Sequence, residues 1–294
     1  MKYVTFSTET DRDVFGILEE ESVYSVKQLI EQYQKTEETL LPENITLLEM
    51  IKQDQEEQIK SIYNHSKDAI PAFKKEDVKF EVPFKEPGKI VCVGNNYMDH
   101  CIEQNVEPPK KPMIFSKWAS CLIGDSEPIS LPSESEQVDY EAELAVVIGK
   151  KGKNIPKDQV FEHIFGYSIL NDVSARDVQF ADVQWVRGKS FDTFAPFGPS
   201  IVSKDEIENP HDLDIKLFLN GEALQDSNTK HLIFDIPYMI SYLSRSFTFE
   251  PGDIIATGTP HGVGVFRNPQ VFLKKGDMCT IEIESVGTLK NPIE

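Results

Sequence analysis

Three carboxylates in two short segments have the residue types of a metal site. Glu141 and Glu143 stand two apart at the head of the apolar run Leu144–Ile148, and Asp172 comes one residue after the apolar run Tyr167–Leu170. Residues two apart on a strand point to one face, so the two glutamates project together. Their like charges repel each other, and a bridging cation removes that repulsion. The alternatives are a solvated strand edge for the glutamates and a helix N-cap for Asp172.

Three carboxylates with no histidine or cysteine nearby form an all-oxygen ligand set. Such a set favours Mg²⁺ or Mn²⁺, whereas zinc would recruit nitrogen or sulfur ligands. An octahedral ion held by three carboxylates keeps up to about three positions open, which is enough for a bidentate 2-keto acid and a water. The segments therefore predict a hard divalent cation with free coordination positions.

A histidine and a glutamate three residues apart have the types of an acid–base pair. If the chain is helical from Tyr97 onward, His100 and Glu103 share one helix face. The glutamate would then fix the imidazole tautomer and raise its basicity, so that the imidazole removes a proton near neutral pH. The alternative is a surface contact on a short helix. The neighbouring Cys101 offers a nucleophile, although packing is the commoner role of a cysteine.

Four further side chains are candidates for contacts with an anionic substrate. Lys189 lies in a glycine-flanked turn, where it would stabilise a developing enolate. Arg176 can hold a carboxylate with two hydrogen bonds, and Gln179 is predicted to share its helix face. Thr259 offers a hydroxyl within the glycine-rich segment 256–264. The alternatives are a solvated lysine and a tight turn after a buried strand.

The elements that must position these residues are mostly strands. Ile90–Val93, Glu143–Ile148 and Gly166–Leu170 read as buried strands, and Asp214–Leu219 runs into the hairpin signal Asn220-Gly221. Helices are few and do not alternate regularly with strands, which argues against a doubly wound parallel sheet. The pattern therefore predicts a mainly β or α+β fold.

The first 85 residues have a different pattern of predicted strands and helices from the rest of the chain. They are predicted to form a small α+β domain ahead of a catalytic domain at 86–294. Lys2–Ser7, Val14–Leu18 and Ser22–Tyr24 read as short strands. Ser25 with Gln28 forms one candidate capping box. Thr46 with Glu49 forms a second, which predicts a helix from there to about Asn64.

Charge and composition narrow the classes of partner. A net charge of −19 repels nucleic acid and anionic membranes. No apolar stretch is long enough to span a bilayer, and the first residues lack the apolar core of a signal peptide, so we expect a cytoplasmic protein. The four cysteines form no CxxC pair and no zinc spacing, which indicates reduced thiols.

Five segments, taken in order, resemble the fumarylacetoacetate hydrolase family. They are VGNNYMDHCIE, DYEAELAVVIG, GYSILNDVSARD, GKSFDTFAPFGP and DIIATGTPHGVG. The resemblance runs from Lys89 to the C-terminus and implies a mixed β-sandwich roll, usually in a homodimer. One departure is visible, since Asn95 stands where many members carry arginine or lysine, which puts recognition of a second, distal acidic group in doubt.

The resemblance also implies roles for the candidate residues. One Mg²⁺ or Mn²⁺ per subunit would bind Glu141, Glu143 and Asp172. His100 and Glu103 would activate water on a lid segment, and Lys189 would lie beside the bound substrate. The expected substrate contacts are Arg176, Gln179 and Thr259.

These roles predict hydrolysis of a carbon–carbon bond in a small 2-keto acid of the acylpyruvate or fumarylpyruvate type. Decarboxylation of oxaloacetate and isomerisation of an unsaturated dioic acid would use the same cation site and are the alternatives. A non-catalytic module that binds Ca²⁺ or a partner through its acidic cluster is the third hypothesis.

Overall fold

The computed structural model describes all 294 residues, and most of its regular elements are strands. The strands are β1 (Lys2–Ser7), β2 (Val14–Glu19), β3 (Ser22–Ser25), β4 (Phe73–Lys74), β5 (Lys79–Glu81), β6 (Ile90–Gly94), β7 (Met113–Ser116), β8 (Leu122–Ile123), β9 (Val138–Asp139), β10 (Ala142–Ile148), β11 (Ile164–Asn171), β12 (Ser174–Ala175), β13 (Ala195–Ser203), β14 (Asp214–Leu219), β15 (Glu222–Asn228), β16 (Ile254–Ala256), β17 (Met278–Ile283) and β18 (Gly287–Pro292). The helices are α1 (Val26–Tyr33), α2 (Leu47–Lys52), α3 (Glu56–Ser66), α4 (Met98–Gln104), α5 (Arg176–Ala181), α6 (Val186–Lys189) and α7 (Ile236–Ser244).

Twelve strands form one mixed sheet. Ten of them follow the order β4-β3-β2-β1-β13-β11-β10-β16-β6-β7, while β5 pairs with β1 and β8 pairs with β13. The pairs β16–β6 and β13–β8 are parallel, and the other pairs of this sheet run antiparallel. A second sheet has the order β15-β14-β17-β18, and β9 pairs with β12. The predicted sheet-dominated fold class is confirmed.

The central strand β10 is buried on both faces. Leu144, Val146 and Ile148 point into a cluster of 41 buried residues, whereas Ala145 and Val147 point into one of 26. The four-stranded sheet and α7 cover the larger cluster, and α1, α2 and α3 cover the smaller one. Burial on both faces explains why this segment reads as a continuous apolar run rather than an alternating one.

The N-terminal strands belong to the same sheet as the strands after residue 85. The three predicted short strands are confirmed as β1, β2 and β3. Strand β1 pairs with β13, with Lys2 opposite Val202 and Tyr3 opposite Ile201. The division into domains 1–85 and 86–294 stays a prediction, and it places the boundary across a contiguous sheet.

The single helix predicted from Thr46 to about Asn64 is wrong, because the chain forms two helices there. The predicted capping box is present, since the Thr46 hydroxyl accepts from the Glu49 N–H and the Glu49 carboxylate accepts from the Thr46 N–H. Helix α2 nevertheless ends at Lys52, and α3 begins at Glu56.

The break between these helices is a left-handed residue with its own hydrogen bonds. Asp54 has a φ of 54°. Its N–H donates to the carbonyl of Ile51, and the N–H of Gln55 donates to the carbonyl of Met50. This pair of bonds closes a helix C-terminus when the residue after the cap is left-handed. Aspartate adopts a positive φ more readily than most residues. The spacing of apolar residues carries no information about φ, so it does not predict the break.

No helix has the length and apolarity that crossing a bilayer requires. All four cysteines are buried and unpaired. Burial and the nearby Asp99 raise the pKa of the Cys101 thiol, which disfavours the thiolate that a nucleophile needs.

Replacing Asp54 by glycine tests the account of this helix break. We expect Asp54→Gly to raise the free energy of unfolding by about 0.5–1 kcal/mol, because glycine adopts a positive φ without a steric penalty. Denaturant unfolding measures the change. The matched control is Asp68→Gly in the right-handed turn Lys67–Ala69, where the same substitution should lower stability. Equal effects at both positions would contradict the account.

Candidate active site

Pairing of β10 with β11 brings the three predicted carboxylates together. In this antiparallel pair Ala142 lies opposite Asn171, and the N–H of Asp172 donates to the carbonyl of Glu141 at 2.9 Å. One carboxylate oxygen from each of Glu141, Glu143 and Asp172 lies within 4.8 Å of the others, and all three residues are buried. The solvated-edge interpretation of the glutamates is therefore wrong. So is the N-cap interpretation of Asp172, since α5 begins only at Arg176.

Three buried cations surround these carboxylates. Lys189 Nζ lies 2.7 Å from Glu141 Oε2 and 2.9 Å from Asp172 Oδ2. Lys117 Nζ lies 2.6 Å from Asp172 Oδ1 and donates to a backbone carbonyl at 3.0 Å. Arg176 bridges two carboxylates, with Nη2 at 2.7 Å from Glu141 Oε1 and Nε at 2.9 Å from Asp139 Oδ2. The solvated-lysine interpretation of Lys189 is wrong, since its side chain is 2% exposed.

The surrounding charges shift the pKa values of Glu141 and Glu143 in opposite directions. Burial alone would raise the pKa of Glu141, but Lys189, Arg176 and His100 lower it to about 2. Burial, Asp172 and Glu141 together raise the pKa of Glu143 well above its usual value. Burial would lower the pKa of Lys189, yet Asp172 and Glu141 raise it, so this side chain stays an ammonium.

Glu143 is the carboxylate without a cationic partner. Its Oε2 accepts the Gly258 N–H at 2.7 Å, and no lysine, arginine or histidine forms an ion pair with it. A buried charge of this kind is costly unless something compensates it. A hard divalent cation would supply the compensation, because the three side chains offer only oxygen and lie close enough to share one ion. The residues therefore fit Mg²⁺ or Mn²⁺, and their role as its ligands stays a prediction.

The predicted acid–base pair lies on α4. His100 Nδ1 and Glu103 Oε1 are 2.6 Å apart, and the other Glu103 oxygen accepts the Gly262 N–H at 2.9 Å. With the carboxylate on Nδ1, Nε2 is the ring nitrogen left for proton transfer. Two further bonds fasten this helix, because Asp99 Oδ2 lies 2.8 Å from Ser227 Oγ and 2.9 Å from His261 Nδ1. The surface-contact interpretation of the pair is wrong, since the His100 side chain is 7% exposed.

One pocket joins the carboxylates to the histidine. Of the nine predicted site residues, seven line it, namely His100, Glu141, Glu143, Arg176, Gln179, Lys189 and Thr259. Glu103 and Asp172 do not line the pocket themselves. Glu103 bonds to His100, and Asp172 lies beside Glu141 and Glu143, which do line it. Gln179 accepts from Arg176 Nη1 at 3.0 Å, and Thr259 accepts from Gln225 Nε2 at 2.9 Å.

Several residues of this site were missed from the sequence. Lys117 and Asp139 complete the charge cluster, and Phe115 and Trp185 line the pocket. Lys117 stands directly after β7, and a lysine at the end of an apolar strand was an available signal. No local sequence feature marked Asp139, because its partners Arg176, Gly264 and Val265 come from distant parts of the chain.

Glu143→Gln tests the electrostatic account of the cluster. A carboxyl whose pKa is raised on folding contributes stability that is lost as the pH rises through the raised pKa. Without divalent cations we therefore expect the wild type to lose stability relative to Glu143→Gln as the pH rises above the usual value of 4.5. Denaturant unfolding in a chelator at several pH values measures the difference.

Adding Mg²⁺ provides the second half of this test. At a concentration about 100 times Kd, a ligand that binds only the folded state adds about 2.7 kcal/mol, which we expect for the wild type. Glu143→Gln should gain much less, because it keeps only two of the three carboxylates. The exposed Glu162→Gln is the matched control and should respond like the wild type. Equal stabilisation of wild type and Glu143→Gln would refute the site.

Known proteins resemble this chain along its whole length. Residues 89–294 match the family described as Fumarylacetoacetate (FAA) hydrolase C-terminal. Over 219 residues the chain is 50% identical to "Oxaloacetate tautomerase fahd2, mitochondrial" of Xenopus laevis, which covers 74% of this chain and 69% of that protein.

Two solved structures align with all of this chain. The fumarylacetoacetate hydrolase EaFAH from Exiguobacterium antarcticum is 35% identical at a TM-score of 0.86, with 99% of that chain covered. The maleylpyruvate hydrolase from Sphingobium sp. SYK-6, in complex with manganese(II) and pyruvate, is 28% identical at a TM-score of 0.81, with 98% of that chain covered. The chain belongs to the fumarylacetoacetate hydrolase family.

Proposed function

We propose that this protein is a divalent-cation-dependent enzyme that interconverts the keto and enol forms of oxaloacetate. The observation that carries the proposal is that three carboxylates close enough to share one cation adjoin the same pocket as an imidazole paired with a carboxylate. The 50% identity to an oxaloacetate tautomerase supports this substrate over the others. Mg²⁺ and Mn²⁺ both suit the ligand set, and the manganese in the maleylpyruvate hydrolase structure supports such a cofactor.

The charge of the cluster supports an anionic substrate. Asp139, Glu141, Glu143 and Asp172 contribute four carboxylates, and the opposing cations are Lys117, Arg176 and Lys189. One negative charge is left over, so a divalent cation would give the cluster one positive charge. A local positive site in a chain with a net charge of −19 attracts a small anion to this pocket and not to the surface.

The reaction moves one proton between an oxygen and a carbon. A divalent cation held by Glu141, Glu143 and Asp172 would supply Lewis acidity toward the keto group, and the neighbouring carbon would become more acidic. His100 removes a proton from that carbon through Nε2, while Glu103 holds Nδ1–H and stabilises the imidazolium. The Lys189 ammonium balances the negative charge that develops on the enolate oxygen. Return of the proton to the oxygen gives the enol, and the reverse sequence gives the ketone.

His100→Ala tests the assignment of the base. We expect kcat for tautomerisation to fall by about 10²–10⁴-fold, because the general base is lost. The assay follows the ultraviolet absorbance of the oxaloacetate enol after subtraction of the spontaneous rate. Stabilisation by Mg²⁺ should survive in this variant, because the carboxylates are intact.

The matched control is His65→Ala, a histidine on α3 that lies outside the pocket. It should keep the wild-type rate. Undiminished turnover by His100→Ala would remove that residue from the mechanism, and activity that survives exhaustive chelation would remove the cation.

Hydrolysis of an acylpyruvate-type acid, the reaction expected from the sequence, is the second candidate. It is favoured by the same His100–Glu103 pair, which could deprotonate a water in place of a carbon acid. The maleylpyruvate hydrolase supports it at lower identity over the whole chain. Oxaloacetate decarboxylation and unsaturated dioate isomerisation need only the cation site and a base, and no further contact favours them.

Product analysis separates these candidates. With Mg²⁺ we expect the enol and keto forms of oxaloacetate to equilibrate faster than CO₂ is released. With an acylpyruvate, a hydrolase would release pyruvate and a second carboxylic acid in equal amounts. Stoichiometric release of both acids, at a rate that exceeds tautomerisation, would favour hydrolysis over the proposed function.

A further inference from the structure

The buried side chain of Gln225 joins two segments that line the pocket. Gln225 lies on β15, the edge strand of the four-stranded sheet, and is fully buried. Its Oε1 accepts the N–H of Ala142, the residue between the two glutamates of the carboxylate cluster, at 2.9 Å. Its Nε2 donates to Thr259 Oγ1 and to the Pro260 carbonyl, both at 2.9 Å. One amide therefore connects the start of β10 to the glycine-rich segment 256–264.

The partners of this amide fix its orientation. The Ala142 N–H can only donate a hydrogen bond, and the Pro260 carbonyl can only accept one. A flipped amide would place its NH₂ group against the N–H and its oxygen against the carbonyl, and both bonds would be lost. Gln225 is therefore the donor in its bond with Thr259, and the Thr259 hydroxyl oxygen is the acceptor.

The bond from Gln225 leaves the hydrogen of the Thr259 hydroxyl unused. A hydroxyl has one hydrogen to donate, and Thr259 Oγ1 makes no other hydrogen bond within the chain. The other threonine of the same segment differs, because the Thr257 hydroxyl donates to the Leu144 carbonyl at 2.9 Å. Thr259 lines the pocket. Of the two threonines, Thr259 is thus the one with a donor available to a ligand.

A β-bulge and a close backbone approach place Gln225 beside this segment. The pairing of β14 with β15 shifts by one residue at Leu224, directly before Gln225. Such a bulge changes the direction of the neighbouring side chains. Gly262 has a φ of 99°, and a Cβ at this position would clash with the Leu224 carbonyl. The glycine therefore allows the segment to pack directly against the bulge.

We propose that Gln225 is a positioning residue that keeps the Thr259 hydroxyl a hydrogen-bond donor to the substrate. This role rests on the proposed function, which brings the anion of a 2-keto acid into the pocket. Since Gln225 occupies a lone pair of Thr259 Oγ1, the hydroxyl hydrogen is held for an oxygen of that anion, and a bond to a charged acceptor is stronger than one to a neutral acceptor. Because the same amide binds the Ala142 N–H, it also fixes Thr259 relative to the carboxylates.

Binding of pyruvate, a stable 2-keto acid, to the protein at saturating Mg²⁺ tests this role. Thr259→Val keeps the shape but removes the hydroxyl, and we expect it to raise Kd for pyruvate at least about tenfold, as the loss of one hydrogen bond to a charged group does. Gln225→Met is neutral and of similar length and should raise Kd by a similar factor. The double variant should bind within about twofold of the weaker single variant, because both changes remove one interaction. Calorimetry measures all three values.

Thr257→Val is the matched control, since its hydroxyl is already bonded to Leu144, and its Kd for pyruvate should stay within about twofold of the wild type. Losses that multiply to about a hundredfold in the double variant would overturn the role of Gln225. So would a Gln225→Met variant that loses more affinity for Mg²⁺ than for pyruvate, because Gln225 would then act on the carboxylates alone.

A measurement on the unsubstituted amide covers the case in which Gln225→Met does not fold. The side-chain ¹⁵N–¹H signals of Gln225 should shift when pyruvate is added to the Mg²⁺-loaded wild type, and they should not shift in Thr259→Val. Signals that do not respond in the wild type, or respond equally in both proteins, would overturn the proposal. Coupled pyruvate binding in a protein that does not tautomerise oxaloacetate would overturn only the proposed function, whereas a wild type that binds no pyruvate would overturn both.

Discussion

The arrangement of this site depends on the mutual repulsion of three buried carboxylates where β10 begins and β11 ends. Antiparallel pairing places Glu141, Glu143 and Asp172 together, and burial removes the water that would screen them. Lys117, Arg176 and Lys189 compensate two of the three and leave Glu143 without an ion pair. The protein alone does not neutralise this cluster, and a divalent cation would supply the missing positive charge.

Burial of β10 and β11 on both faces of the sheet holds the three carboxylates close together despite their repulsion. The strands that carry the carboxylates are central in a twelve-stranded sheet, with one apolar cluster on each face. Their side chains have little freedom to turn toward solvent, because interiors are close-packed. The N-terminal strands extend this sheet through β1 and β13, and α1, α2 and α3 cover its second face. The first 85 residues therefore support the catalytic strands from the side opposite the four-stranded sheet.

The His100–Glu103 pair is held differently, by polar contacts between α4 and neighbouring segments of the chain. Helix α4 carries Asp99, His100 and Glu103, and its carboxylates bond to β15 and to the glycine-rich segment 256–264. Gln104 at the end of the same helix bonds to Asn95. One short helix thus sets the position of His100 and of Gln104, which both line the pocket. The carboxylates are held by burial in the sheet, whereas the position of His100 depends on a few hydrogen bonds.

The sequence by itself determined which side chains are candidates for the site and most of the local structure around them. Carboxylates beside apolar runs, a histidine three residues from a glutamate, and the hairpin signal at Asn220-Gly221 are local features, and the corresponding elements form where they were predicted. The left-handed Asp54 was not visible, because its conformation depends on backbone hydrogen bonds between neighbouring turns. Only the tertiary structure decided which groups meet. Lys117 reaches Asp172 across 55 residues, and β1 pairs with a strand about 200 residues away, because strand order and register are fixed by burial across the whole sheet.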